Sequence, residues 1–293
     1  MKSIYKYLVL LLSIVFAASV WSECVASGDS NLQLQVLGSG GPGGSGGRAS
    51  SSYILWIDGV GRIMVDSGSG TKVNFHKSGA NFNDIDLVAL SHLHPDHSAE
   101  LPAILWPRGG SFKISGPTAG GDFPSLGVFL NRMFGPDGAY PILDSRVQIE
   151  TTTAVDAGSE EATEVWREGD ILVLGKGVPH GNVPAIGYRV DVGDKSIVFS
   201  SDQNGSDASF SEFAKDTDVL VIHMTIAEDA NSTLHAKPSV WGQLAEAANA
   251  GHVVVSHIGE ATPEGLEASL KILQDNYSGQ ITVADDLSCV EVK

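Results

Sequence analysis

The sequence predicts a single α/β domain of two packed sheets flanked by helices, on three observations. The first half of the 293-residue chain is rich in short strand-like runs, the later part alternates strands with helices, and no shift in composition marks a linker between them. Hydrophobic residues make up 42% and charged residues 18%, enough apolar surface to build a sizeable core, which excludes a disordered chain. The 34 glycines follow no fixed period, which excludes collagen-like and simple repeat architectures.

Lys2 and Lys6 precede an apolar run over residues 8–21, interrupted only by Ser13 and Ser19. The run is short and N-terminal, as in a secretory signal peptide, with Val20 and Ser22 as the small residues before a cut near Ser22. An uncleaved anchor is the alternative, and no other segment could span a bilayer. The expected organisation is a signal peptide over 1–22, a linker over 23–30 and one domain over 31–293, giving an exported, periplasmic or extracellular protein. Cys24 and Cys289 are the only cysteines, too few for a Cys-rich metal site. In an exported chain they suit a disulfide joining the two ends, and two separate thiols are the other reading.

Residues 32–37 alternate apolar and polar, predicting a half-buried strand. A glycine-rich stretch over 38–47 follows. Residues 52–57 and 62–65 form a predicted hairpin turning at Asp58-Gly59. Residues 84–90 predict another strand, which runs into a histidine cluster, and 99–106 predict a helix. The Gly- and Pro-rich stretch 107–146 predicts loops and a short helix over the site. Strands are expected over 171–174, 187–192, 196–200 and 218–222. Proline in the first turn and Gly251 beyond the end bracket a helix over 238–249. A buried strand over 253–256 is followed by a helix that Thr262-Pro263 opens and that reaches about residue 276.

The strongest chemical signal is Ser91-His92-Leu93-His94-Pro95-Asp96-His97. His92 and His94, two apart at a strand end, share one side, and a turn at Pro95 brings Asp96 and His97 to a second point. Imidazole and carboxylate together suit divalent metals such as Zn²⁺, and ligands split two and two ask for two adjacent ions.

This run resembles the signature of the metallo-β-lactamase superfamily, whose fold is a four-layer αββα sandwich with a metal centre at one sheet edge. Val178-Pro179-His180 before Gly187-Tyr188-Arg189-Val190 resembles the third-ligand segment of its ribonuclease Z branch. Val198-Phe199-Ser200-Ser201-Asp202 resembles the strand that delivers a bridging aspartate. Leu234-His235-Ala236 and Val255-Ser256-His257-Ile258 resemble the next two histidine motifs, in the same order. The resemblance implies that His92, His94 and His180 hold one ion and that Asp96, His97 and His257 hold the other, with Asp202 bridging. It implies two divalent ions, Zn with Mn or Fe as alternatives, and hydrolysis by a metal-activated water. Asp96 would orient the nucleophile or accept its proton, His235 would protonate the leaving group, and Asp66 would orient a metal-binding histidine.

Two departures accompany the resemblance. Ribonuclease Z carries a His-Glu-Ala-Thr stretch where this chain reads Ile222-His223-Met224-Thr225, so that His223 stands in the Glu position. Its pre-tRNA-binding arm lies between the strands that here are separated only by residues 191–195. The net charge is −17; removing Lys2 and Lys6 leaves 16 cationic against 35 acidic side chains, or −19, which repels polyanions at long range. There is no basic run to offset it, so the expected substrate is a small molecule or short phosphodiester and not tRNA. A lactone, β-lactam or sulfate ester is the alternative substrate, and a non-catalytic metal-binding module a third reading. No membrane contact is expected of the mature form, and the oligomeric state stays open, a homodimer included.

Weaker motifs are set aside. Gly38-Ser39-Gly40-Gly41-Pro42-Gly43 fits G-x-G-x-x-G, and Gly43-Gly44-Ser45-Gly46-Gly47 fits G-x-S-x-G, but neither leads into a helix. Both are expected to form a loop beside the metal site. His76, His223 and His252 lack ligand spacing and are expected at the surface or in packing.

Overall fold

A computed structural model describes residue 24 and residues 31–106, 110–259 and 263–293. The signal peptide expected over 1–22 lies outside the described residues, as does the linker apart from Cys24. Among the described residues no helix is long and apolar enough to cross a membrane.

Period-2 patterning sorts the strand residues onto two faces. In β1 (Leu32–Gly38), Leu32, Leu34 and Val36 join Tyr53, Leu55 and Ile57 of β2 (Ser52–Ile57) in one core, while Leu37, Ile54 and Trp56 point the other way into a second. Strand 1 is therefore buried on both faces and not half-exposed. Gln35 is accommodated because its Oε1 accepts a 3.0 Å hydrogen bond from Trp56 Nε1. The hairpin to β3 (Val60–Val65) turns at Asp58-Gly59, both at positive φ (51° and 75°), the conformation that suits a two-residue hairpin loop.

The first sheet runs β14-β1-β2-β3-β4-β5-β6, adding β4 (Leu87–Ala89), β5 (Gly110–Pro117), β6 (Val147–Val155) and β14 (Cys289–Glu291). Its strands pair antiparallel from β14 to β3 and parallel from β3 to β6. The strand expected over 84–90 is thus confined to residues 87–89. The stretch 107–146, expected as loops and a short helix, also contains the full strand β5.

The second sheet runs β13-β12-β11-β10-β9-β8-β7. It comprises β7 (Thr163–Glu168), β8 (Ile171–Val178), β9 (Ala185–Val192), β10 (Lys195–Phe199), β11 (Val219–His223), β12 (His252–Ser256) and β13 (Gln280–Val283). Strands β7 to β10 pair antiparallel, and β10 to β13 pair parallel. Only Gly193 and Asp194 connect β9 to β10, so no arm is inserted there.

Apolar residues of both sheets, among them Ile63, Val65, Tyr188, Phe199, Val221 and Val254, fill the space between them. Helices α1 (Thr71–Lys77), α3 (Leu101–Leu105) and α4 (Leu126–Phe134) cover the outer face of the first sheet. Helices α5 (Phe210–Phe213), α6 (Pro238–Ala247) and α7 (Pro263–Asn276) cover the second. The result is a helix–sheet–sheet–helix sandwich in one domain.

Cys24 and Cys289 form a disulfide across 265 positions of sequence. Closing so long a loop restricts the unfolded chain, an effect of about 2–5 kcal/mol for native bridges. Cys289→Ser is expected to lower the urea midpoint under non-reducing conditions, with a loss of unfolding free energy in that range. An unchanged midpoint would show that the bridge does not constrain the unfolded state.

Candidate metal centre

Strands β3, β4, β10, β11 and β12 end at one edge of the sandwich, and the residues just beyond them converge. Parallel pairing enforces this: β11 and β12 are in register at His223 and Ser256, and β10 pairs Phe199 with Val221. The segments that follow therefore leave at one level. Three non-glycine residues there, Asp66, Ser201 and His257, adopt positive φ (58°, 57° and 48°). Each such residue costs on the order of 1 kcal/mol and persists where the surroundings hold it.

His92 and His94 follow β4. His94 caps the single turn α2 (Pro95–Ser98), whose first residue is proline, and that turn carries Asp96 and His97 to the other side of the cluster. His180 follows β8, Asp202 follows β10 and His257 follows β12. The seven sequence-expected ligands all meet here. His92 Nε2 and His180 Nε2 lie 3.0 and 3.5 Å from His94 Nδ1, forming one group. His257 Nε2 lies 3.0 Å from His97 Nε2 and 3.3 Å from Asp96 Oδ2, forming the other. Asp202 stands between them. Its Oδ2 is 4.0 Å from His92 Nε2, 3.9 Å from His180 Nε2 and 3.7 Å from His97 Nε2, and its Oδ1 is 3.4 Å from His257 Nε2.

The outer nitrogens of His92, His97, His180 and His257 are engaged away from the centre, that of His92 by Ser91 Oγ at 3.1 Å. His97 Nδ1 lies 2.7 Å from Asp66 Oδ2, and Asp66 also accepts from Ser91 N and Ser91 Oγ. His180 Nδ1 donates to Leu234 O at 2.8 Å, and His257 Nδ1 lies 2.9 Å from Thr225 Oγ1. Each ring thus turns its remaining nitrogen inward, the arrangement that fixes metal-binding imidazoles. Borderline imidazole nitrogens and hard carboxylate oxygens turned inward fit divalent ions of the Zn²⁺ class.

Burial keeps the His92, His94 and His180 rings below their ordinary pKa, so their lone pairs are available. Burial opposes the charged form of His97 too, but Asp66 and Asp202 outweigh it and hold that ring well above its usual value. Burial would likewise raise Asp202 and Asp96. Neighbouring histidines prevail at both, holding Asp202 well below the usual carboxylate range and Asp96 at about 2.

His235, expected outside the ligand set, reaches the cluster with Nδ1 3.8 Å from Asp202 Oδ2; that nitrogen is buried without a hydrogen-bond partner. The glycine-rich loop lies beside the site as expected: a Cβ on Gly41 would sit 2.9 Å from the His257 ring. From the stretch 107–146, the Phe123 ring packs edge-on to His94 with centroids 5.3 Å apart. His76 is at the surface and His252 pairs with Thr282 Oγ1 at 2.9 Å, both as expected. His223 is the correction. It is neither at the surface nor merely packed, because its Nδ1 lies 2.7 Å from Asp202 Oδ1 inside the cluster. Parity along β11 is the signal that could have found it: Val219, Val221 and His223 share the face that looks between the sheets.

The family model described as beta-lactamase superfamily domain matches residues 61–258. Ribonuclease Z of Mycobacterium bovis (strain BCG / Pasteur 1173P2) is 26% identical over 282 residues, covering 89% of this chain and 98% of that protein. Ribonuclease Z of Mycobacterium sp. (strain KMS) is 27% identical, over 89% and 96%. Among solved structures, the metallo-beta-lactamase fold protein YhfI from Bacillus subtilis superposes with a TM-score of 0.72 at 19% identity, over 89% of this chain and 99% of that one. The human short-form tRNase Z gives 0.68 at 17%, also over 89% and 99%. With the family match spanning more than half of the sequence and the two-sheet sandwich beneath it, the chain belongs to the beta-lactamase superfamily and has the metallo-β-lactamase fold.

Proposed function

We propose that the chain is an exported, metal-dependent hydrolase that cleaves short phosphodiesters with two divalent ions, zinc foremost. The carrying observation is the convergence of His92, His94 and His180 on one side and Asp96, His97 and His257 on the other, with Asp202 between. The ribonuclease Z relatives support the reaction class. The two-residue β9–β10 connection and the acidic balance favour a small substrate over tRNA. The Cys24–Cys289 disulfide supports an oxidising compartment, and so export.

Ions bound there supply Lewis acidity and a water that ionises near neutral pH. Asp96, ionised throughout the physiological range, accepts a hydrogen bond from the nucleophile and orients it. Asp66, Leu234 and Thr225 hold His97, His180 and His257 in their rotamers, so that little reorganisation accompanies the reaction. His235 carries a proton to the leaving oxygen.

Metal analysis of the purified protein, followed by assays with bis-p-nitrophenyl phosphate, a lactone and a cephalosporin, tests this reading. The expected result is bound divalent metal and metal-dependent turnover of the phosphodiester. Metal-loaded protein that leaves the diester intact would overturn it, and turnover of only the lactone or cephalosporin would move the substrate class.

A further inference from the structure

His223 is a buried histidine that the proposed reaction does not use, and both of its ring nitrogens are engaged. Nδ1 lies 2.7 Å from Asp202 Oδ1. A carboxylate only accepts, so Nδ1 carries the proton and donates it. Nε2 is left as an acceptor, and the Tyr53 hydroxyl lies 3.2 Å from it and 2.9 Å from Ser256 Oγ. The ring is further fixed by stacking on His257, with centroids 4.6 Å apart and planes at 12°. Its backbone carbonyl accepts a 2.9 Å hydrogen bond from Trp241 Nε1.

What His223 holds is the orientation of one carboxylate. The terminal torsion of an aspartate is soft and broad. At Asp202 it decides which oxygen faces which histidines: Oδ2 looks toward His92, His97 and His180, and Oδ1 toward His257. A hydrogen bond from a rigid ring to Oδ1 selects that arrangement. The donor atoms of His97, Asp202, His223 and His257 all lie within 4.8 Å of one another, so direct ligation by His223 is the competing role. Its nitrogens argue against it. His223 Nδ1 donates its N–H to Asp202 Oδ1 at 2.7 Å with Tyr53 behind Nε2, whereas His257 Nε2 stands 3.4 Å from that oxygen with Thr225 behind Nδ1.

We propose that His223, backed by Tyr53, is a positioning residue that sets the Asp202 carboxylate so that it serves both groups of histidines at once. The inference rests on the metal-site reading above. Loss of an outer hydrogen-bond partner typically weakens metal binding by about 10–100-fold. His223→Leu removes the donor while filling the space. His223→Asn returns an N–H near the position of Nδ1. Tyr53→Phe leaves the His223 donor in place and removes the hydroxyl behind Nε2, together with that hydroxyl's hydrogen bonds to Ser256 and Ser51.

The experiment measures the zinc dissociation constant of each variant by competition with a chromophoric chelator, without substrate. It also measures kcat and KM with bis-p-nitrophenyl phosphate, and near-UV circular dichroism to verify folding. The expected result is zinc binding weakened about 10–100-fold in His223→Leu, with kcat lowered, KM little changed and both recovered largely in His223→Asn. Tyr53→Phe is expected to show a weakening of several-fold. A folded His223→Leu that binds zinc as the wild type does would overturn the inference. So would an asparagine variant as impaired as the leucine one, because the donor would then not be what matters. If His223→Leu does not fold, Tyr53→Phe decides: weaker zinc binding supports the inference and wild-type binding overturns it. Wild-type protein that takes up no zinc removes this inference together with the metal-site reading. Wild-type protein that binds zinc but spares the diester removes only the proposed reaction.

Discussion

Asp202→Ala is expected to release divalent metal from both histidine groups and to lower turnover of bis-p-nitrophenyl phosphate by about a thousandfold or more. The size follows from the several kcal/mol that Lewis-acid stabilisation contributes, at about 1.4 kcal/mol for each tenfold in rate. The reach of the effect follows from geometry. Among the described residues Asp202 is the carboxylate that stands between the two groups, with oxygens 3.4–4.0 Å from the inner nitrogens of His92, His97, His180 and His257. His94→Ala should be milder in metal content, because His92, His180 and Asp202 remain on its side. Elemental analysis and the rate measurement together decide the matter. Retention of the wild-type metal content by Asp202→Ala would show that the carboxylate is not shared, and the pairing of sites would have to be abandoned.

The parts of this site that were legible in the sequence are those built by local spacing. His92, His94, Asp96 and His97 lie within six residues, and one strand end followed by a proline-initiated turn converts that spacing into geometry with little help from the rest of the chain. His180, Asp202, His235 and His257 are isolated residues, and no local period reveals them; only the resemblance of their flanking segments joined them to the cluster. His223 shows the limit. The resemblance sets it where ribonuclease Z has Glu and so gives the histidine no role, and a lone histidine at the end of a valine-rich strand carries no spacing of its own. Its place depends on the registers of β10, β11 and β12, which are long-range facts. Strand β5 was missed for a related reason. Its apolar signal is only Phe112 and Ile114 between glycine and proline, the residues that ordinarily mark breaks. Parallel pairing with β4 and β6 on either side supplies the order that its own sequence lacks. Likewise, β1 reads as amphipathic because of Gln33 and Gln35, yet α1 and Trp56 cover that face.

His235→Ala is expected to separate proton transfer from metal binding. The ring sits at the margin of the cluster, with Nδ1 buried, unpartnered and 3.8 Å from Asp202 Oδ2. Burial pushes it down to about 4, so the substrate-free ring is neutral at pH 7. An anionic phosphoester entering beside it favours the protonated form and raises that value in the complex. A proton delivered from there matters in proportion to how poorly the leaving oxygen departs without one. With p-nitrophenolate, a stable anion, loss of His235 should cost little. With an alkoxide leaving group the full contribution of general acid catalysis, about 10²–10⁴-fold in kcat, should disappear. The variant should therefore keep the wild-type metal content and show a steeper dependence of kcat on leaving-group pKa across a series of phosphodiesters. A loss that is uniform across the series, or accompanied by departure of metal, would instead make His235 a ligand with His180 and Asp202, whose donor atoms lie within 4.8 Å of its own.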